Sequence, residues 1–167
     1  LMANLGIAQV ESLLEKKAEE KIIQLVDSLK ADGLILHINP FQELLQPEGD
    51  FYQKPPLETI LELLEKIDFP LFVKEVGQGM GPKSLDALLE TDIAGIEFGA
   101  LGGTNFSLIE LMRSDDMIYE QLSDLASIGH SAPEMVEFLN DIPMSIVKGK
   151  EFIISGGVKP LTGFYLM

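Results

Sequence analysis

The 167 residues include no cysteine, which excludes disulfides, thiolate catalysis and cysteine-based zinc sites. Basic residues are scarce: 12 Lys and Arg stand against 27 Asp and Glu, for a formal net charge of −15. They form no stripe that could follow a phosphate backbone, so nucleic acid is not an expected partner. The same charge repels small phosphorylated ligands, and an anion site must therefore be built locally from backbone N–H groups, a lysine or a metal. Long apolar runs are also missing. None reaches the roughly 18 residues of a membrane span. No membrane contact is expected, and with no secretory signal at the amino end the cytoplasm is the default location.

The chain is 46% hydrophobic and 23% charged, as a globular protein is, and its length suits one domain with a real core. Both ends read as cut. Leu1 to Ile7 resembles the inside of a strand, and Phe164-Tyr165-Leu166-Met167 closes an apolar run with no stop signal after it.

Strand-like apolar runs recur at Leu1 to Ile7, Leu34 to Ile38, Leu71 to Val76, Gly95 to Phe98 and Glu151 to Ser155. Helical patterns separate them. Val10 to Leu29 repeats apolar residues at helical spacing, as does Leu57 to Ile67, which Asp68-Phe69-Pro70 ends. Pro82 with Ser84 to Glu90 reads as a helix with proline in its first turn, and Thr104 to Arg113 and Ala132 to Asn140 supply two more. Apolar strands alternating with amphipathic helices imply a parallel sheet under helices, in either a barrel or an open doubly wound sheet.

The strand exits favour the barrel. Asn4; His37 and Asn39; Lys74, Glu75 and Gln78; Gly102-Gly103-Thr104-Asn105; and Ser155-Gly156-Gly157 each follow a strand at its carboxyl end. In a (β/α)8 barrel those exits converge on one face, whereas an open sheet concentrates its ligand at one switch point. The expected fold is α/β: a single incomplete (β/α)8 TIM barrel over residues 1–167, with about five of eight parallel strands and both ends truncated.

Several groups invite a functional reading beside a structural one. Asn39-Pro40-Phe41-Gln42 suits an N-cap, a first-turn proline and a capping box, but equally a ligand site. His37 is a core histidine or a ligand group. Glu43 is a solvated side chain or a ligand to Mg2+, which one or two carboxylates usually hold together with a substrate phosphate. Gln46-Pro47-Glu48-Gly49-Asp50 reads as an acidic surface loop. Lys74 lies within an apolar strand, where an unpaired charge is expensive. Pairing with adjacent Glu75 is disfavoured because neighbouring strand residues face opposite ways, so a ligand anion such as a reduced flavin or phosphate is the better partner. The pairs Gly102-Gly103 and Gly156-Gly157 let backbone approach a phosphate, or serve ordinary turns. Gly77-Gln78-Gly79-Met80-Gly81 departs from the dinucleotide spacing and reads as a flexible loop. His130, in a Gly-His-Ser turn, reads as a surface residue.

Together, the runs His37 to Glu43, Gln46 to Asp50, Val73-Lys74-Glu75-Val76-Gly77-Gln78-Gly79, Gly102 to Phe106 and Ser155 to Val158 resemble type 2 isopentenyl diphosphate isomerase, in order from Met2-Ala3-Asn4-Leu5-Gly6 onward. The resemblance implies a partial FMN-dependent barrel that interconverts isopentenyl and dimethylallyl diphosphate with reduced FMN, Mg2+ and NAD(P)H, the flavin acting as acid and base. It assigns Gln42 a catalytic place beside the alkene, His37 and Asn39 to the substrate, and Glu43 to Mg2+. Lys74 would face the flavin ring, Asn4 and Thr104 would hydrogen-bond the cofactor, and Gly156 and Gly157 would hold its phosphate. Lys159 stands where many relatives carry arginine, and the family's basic, histidine-bearing amino terminus, first two strands and last strand have no counterpart. A homo-oligomer is expected. The alternatives are a non-catalytic barrel fragment that oligomerises, or another FMN barrel such as a hydroxy acid oxidase. The latter needs a histidine base with arginines, and the chain has only Arg113 and His130 besides His37.

Overall fold

Every strand-like run forms a strand within one or two residues of its expected limits. The structure, a computed structural model, describes residues 1–46, 49 and 53–159. Pro47, Glu48 and Asp50 of the acidic loop and the run Phe164 to Met167 lie outside the described residues. The strands are β1 (Met2–Gly6), β2 (Gly33–His37), β3 (Leu71–Lys74), β4 (Gly95–Glu97) and β5 (Glu151–Ile153). They form one parallel sheet in the order β1-β2-β3-β4-β5. Because the order rises without reversal, these strands have no switch point of the kind that seats ligands in doubly wound sheets.

The helices among the described residues are α1 (Ile7–Glu15), α2 (Glu20–Leu29), α3 (Pro40–Leu45), α4 (Pro56–Leu64), α5 (Pro82–Leu89), α6 (Phe106–Arg113), α7 (Asp116–Leu122), α8 (Ala132–Asn140) and α9 (Met144–Val147). The helix expected over Val10 to Leu29 is two. Lys17 N–H donates to Leu14 O and Ala18 N–H to Leu13 O, both at 2.9 Å, with Lys17 at φ 52°. That pair of bonds is a Schellman ending, and it stops α1 without a glycine. Helices α7 and α9 escape the periodicity argument because they bury no residue, so they show no apolar stripe. Proline fills the first turn of α3, α4, α5 and α8, where its missing N–H costs nothing.

The register sorts the sheet into two faces. Ala3, Leu34 and Leu71 lie in one row, and Leu5, Leu36, Val73, Ile96 and Phe152 in another. These rows face the helices: Leu34, Leu36, Leu71, Val73 and Ile96 join Ile22, Val26, Ile60, Leu63 and Leu85 in the main core. Each fully buried aliphatic side chain of this kind contributes roughly 1.5–3 kcal/mol. Intervening residues point the other way. There Asn4, Ile35, Phe72, Gly95 and Glu151 form one row, and Gly6, His37, Lys74, Glu97 and Ile153 the next, at the carboxyl edge.

Candidate functional site

The carboxyl-edge row sets three chemically active side chains on successive strands, His37, Lys74 and Glu97, all half-buried. Neighbouring strands are about 4.8 Å apart, and the Lys74 charge acts on His37. The His37 ring lies over Gly6, where an added Cβ would stand 3.0 Å from Nε2. Its Nδ1 meets Asn4 Oδ1 at 2.7 Å. Since that oxygen only accepts, Nδ1 carries the hydrogen and Nε2 is left as an acceptor. Burial pushes the His37 pKa down, the Lys74 charge lowers it further, and Glu43 opposes both. The neutral imidazole is therefore the resting form at neutral pH.

Lys74 Nζ donates to the Glu75 carbonyl at 3.2 Å. The Glu75 carboxylate turns away from Lys74 and takes three backbone N–H groups of its own loop. Glu97 is held at its tip: Ser155 Oγ donates to Glu97 Oε1 at 3.1 Å and accepts from Gly99 N–H at 3.0 Å. The exits of β4 and β5 are thereby joined.

Above the row sits α3. Asn39 occupies its N-cap position, but its side chain accepts no cap bond, so the expected capping box is absent. Instead Asn39, 4% exposed, donates through Nδ2 to Glu43 Oε1 at 2.7 Å and to Gln42 Oε1 at 3.3 Å. One buried amide thus orients both candidate groups. The short helix is anchored beneath by Leu45, packed with Leu111 and Ala126.

The two glycine pairs, far apart in sequence, meet. Gly156 and Gly157 have φ of 88° and 68°, and an added Cβ would fall 2.1 Å from Ala100 O or 2.5 Å from the Gly102 carbonyl carbon. Both the conformation and the close backbone approach require glycine here. Thr104 is exposed on the same loop, and Asn105 caps α6, its Oδ1 accepting from Leu108 N–H at 3.0 Å.

No family model matches the chain. Individual proteins do. An isopentenyl-diphosphate delta-isomerase of Bdellovibrio bacteriovorus is 37% identical over 161 residues, 95% of this chain and 44% of that protein. One from Synechococcus is 34% identical over 160 residues (95% and 44%), and one from Rickettsia peacockii 32% over 160 residues (95% and 45%). All three of these relatives are isopentenyl-diphosphate delta-isomerases. This chain spans less than half the length of each of these three, and their shared name states a reaction while leaving the cofactor open.

The expected site residues fall into three groups. His37 and Lys74 share the carboxyl edge of the sheet, with Asn4 one row below and bonded to His37, and Asn39, Gln42 and Glu43 share one hydrogen-bonded turn. Gly156 and Gly157 join Gly102 and Gly103. Among the described residues no three His, Asp or Glu side chains cluster as a protein-only metal site would require. Glu97 was not expected from sequence. It lies in an apolar strand, as Lys74 does, and the burial argument applied to Lys74 would have found it.

Two expectations are corrected. The loop from Gly77 to Gly81, read as flexible, is packed into the protein: Gly77, Gln78 and Met80 are buried. Gln78 Nε2 donates to Ile128 O at 2.7 Å and to Leu125 O at 3.2 Å, while its Oε1 accepts from Ser107 Oγ at 2.8 Å. His130 is not a free surface residue. Its ring meets Phe138 edge-on at 5.0 Å, and its backbone N–H donates to Gln78 O at 2.7 Å. Both readings missed that these glycines let one backbone pack on another: an added Cβ at Gly79 would fall 2.5 Å from His130 O, and one at Gly129 2.3 Å from Gln78 O.

Proposed function

We propose that this chain is an arc of a (β/α)8 barrel from an FMN-dependent isopentenyl-diphosphate isomerase, its carboxyl-edge row facing the flavin. The observation that carries this reading is the alignment of His37, Lys74 and Glu97 along the carboxyl edge of a sheet whose strand order never reverses, with Asn4 one row below bonded to His37. Barrel enzymes keep their reactive groups at that edge.

The donor set fits such a cofactor. Lys74 would place its ammonium against the N1 and O2 edge of the ring and favour the anionic reduced form, while Asn4 and Thr104 would hydrogen-bond the ring. Backbone N–H groups at Gly156 and Gly157 would hold the phosphate, in a protein whose net charge of −15 otherwise repels anions. A reduced flavin supplies the acid and base of an allylic proton shift. Gln42 would hydrogen-bond beside the alkene, in an orientation fixed by Asn39. Neutral His37, its tautomer set by Asn4, would offer Nε2 to the substrate. Glu43 would provide the one carboxylate that Mg2+ takes when diphosphate oxygens complete its shell. NAD(P)H would serve as the reductant, and the chain would act in the cytoplasm.

The test is isomerisation of isopentenyl diphosphate with FMN, NADPH and Mg2+. Gln42→Ala should lower the rate by about 10²–10⁴, the usual weight of a proton-transfer group. Unchanged turnover in that variant removes the role. A second reading, a non-catalytic fragment that oligomerises, is favoured by β1 and β5, each of which has one strand neighbour among the described residues and so an edge open to pairing. Size-exclusion chromatography with a flavin absorption spectrum separates the two: a colourless oligomer favours the fragment and a yellow protein the enzyme.

A further inference from the structure

One residue past His37 and Lys74, strand alternation turns the chain toward the helices. There Ile38 and Glu75 enter the wall of a cavity of about 600 Å3, to which His37, Lys74 and Glu97 do not contribute. Most of the remaining wall is apolar, with Phe41, Leu57, Ile60, Met80, Ala87 and Leu88 supplied by α3, α4, α5 and the loop before α5. The volume falls within the range of about 300–1,000 Å3 typical of small-molecule sites.

Glu75 is the unusual member. It is 6% exposed, and N–H groups of Val76, Gly77 and Gln78 reach its carboxylate at 2.6, 2.9 and 2.8 Å. All three bonds fall on Oε2. Oε1 takes none from the described residues, and it is not among their fully buried side-chain atoms without a partner, so it stays open to an incoming donor. Burial accordingly pushes the Glu75 pKa up, against the opposing pull of the three N–H groups and of Lys74. The loop fixes one oxygen and leaves the other as a charged acceptor in a mainly apolar chamber, whose wall also includes Ser84 and His130.

We propose that this cavity is a second ligand site, distinct from the carboxyl-edge site, for a small apolar molecule carrying one hydrogen-bond donor, an amine or an alcohol, that donates to Glu75 Oε1. The site accepts the donor class because Glu75 is an acceptor, and it disfavours anions because like charges meet there. Lys83 borders the same cavity and offers an anion its competing attraction, so the test includes one. The inference is independent of the flavin reading.

Benzylamine, benzyl alcohol, toluene and benzoate are titrated against the purified protein by calorimetry and saturation-transfer NMR. The two donors should bind saturably, about tenfold or more tighter than toluene and benzoate, as one hydrogen bond to a charged group provides. Ala87→Phe, which fills the chamber, should abolish that binding. Glu75→Gln keeps an oxygen for the three N–H groups and presents an amide donor in place of Oε1, so preference should move to acetophenone, which only accepts. If Glu75→Gln does not fold, Ala87→Phe decides alone. Equal binding of toluene, tighter binding of benzoate, or binding that survives Ala87→Phe overturns the proposal.

Discussion

The two faces of the sheet are built from the same five strands, yet they answer to different demands. On the helix side, Leu34, Leu36, Val73 and Ile96 are fully buried and belong to the main apolar core, so that face holds the fold together. On the other side, Asn4 is exposed and His37, Lys74 and Glu97 are half-buried, bonded to Asn4, the Glu75 carbonyl and Ser155 in turn. Stability and chemistry are thus interleaved residue by residue, and a shift of one residue in register would exchange them. Substitutions on the two faces should therefore fail in different assays.

The largest expected contrast pairs Leu36→Ala with Lys74→Ala. Leu36→Ala should cost about 2–5 kcal/mol in urea unfolding, whereas Lys74→Ala should stay within about 1 kcal/mol and instead weaken FMN binding. Equal losses of stability would erase the distinction between the faces. Next comes Gly6→Ala, whose Cβ would press on His37 Nε2 and should cost about 1–3 kcal/mol. The cost should shrink in a His37→Ala background, because the two residues are in contact. Additivity of the two changes would show that the ring does not rest on Gly6.

Glu97→Ala removes the acceptor of Ser155 Oγ and should cost about 0.5–1.5 kcal/mol, detectable as a lowered unfolding midpoint. The smallest effect is in pH. The His37 pKa is lowered on folding, mainly by burial, so the unfolded chain binds the proton more readily. The stability tied to neutral His37 is complete above the unfolded value of about 6.5 and is lost as pH falls below it toward the folded value. His37→Phe should flatten that segment of the stability–pH curve, and an unchanged slope would assign it to other groups.

The strands were legible in sequence because apolar runs of that length have few other uses in a chain with helical patterns between them. The proline-started helices were legible for a similar local reason. What sequence hid was contact between distant segments. Gln78 reads as one polar residue in a glycine-rich loop, yet its amide ties together residues 29 to 50 positions later. The meeting of Gly102-Gly103 with Gly156-Gly157 is equally invisible until the strands are in register. Asn39 shows the converse case: its N-cap position was readable, but a buried site turned its side chain toward Gln42 and Glu43 instead of the backbone.

The central claim is that the polar face of the sheet performs isomerisation through a reduced flavin. Conversion of isopentenyl diphosphate, followed by product formation with Mg2+ present, measures it directly when run with reduced FMN and again without flavin. The account predicts turnover only with reduced FMN. Turnover with Mg2+ alone, or none under either condition, would contradict it.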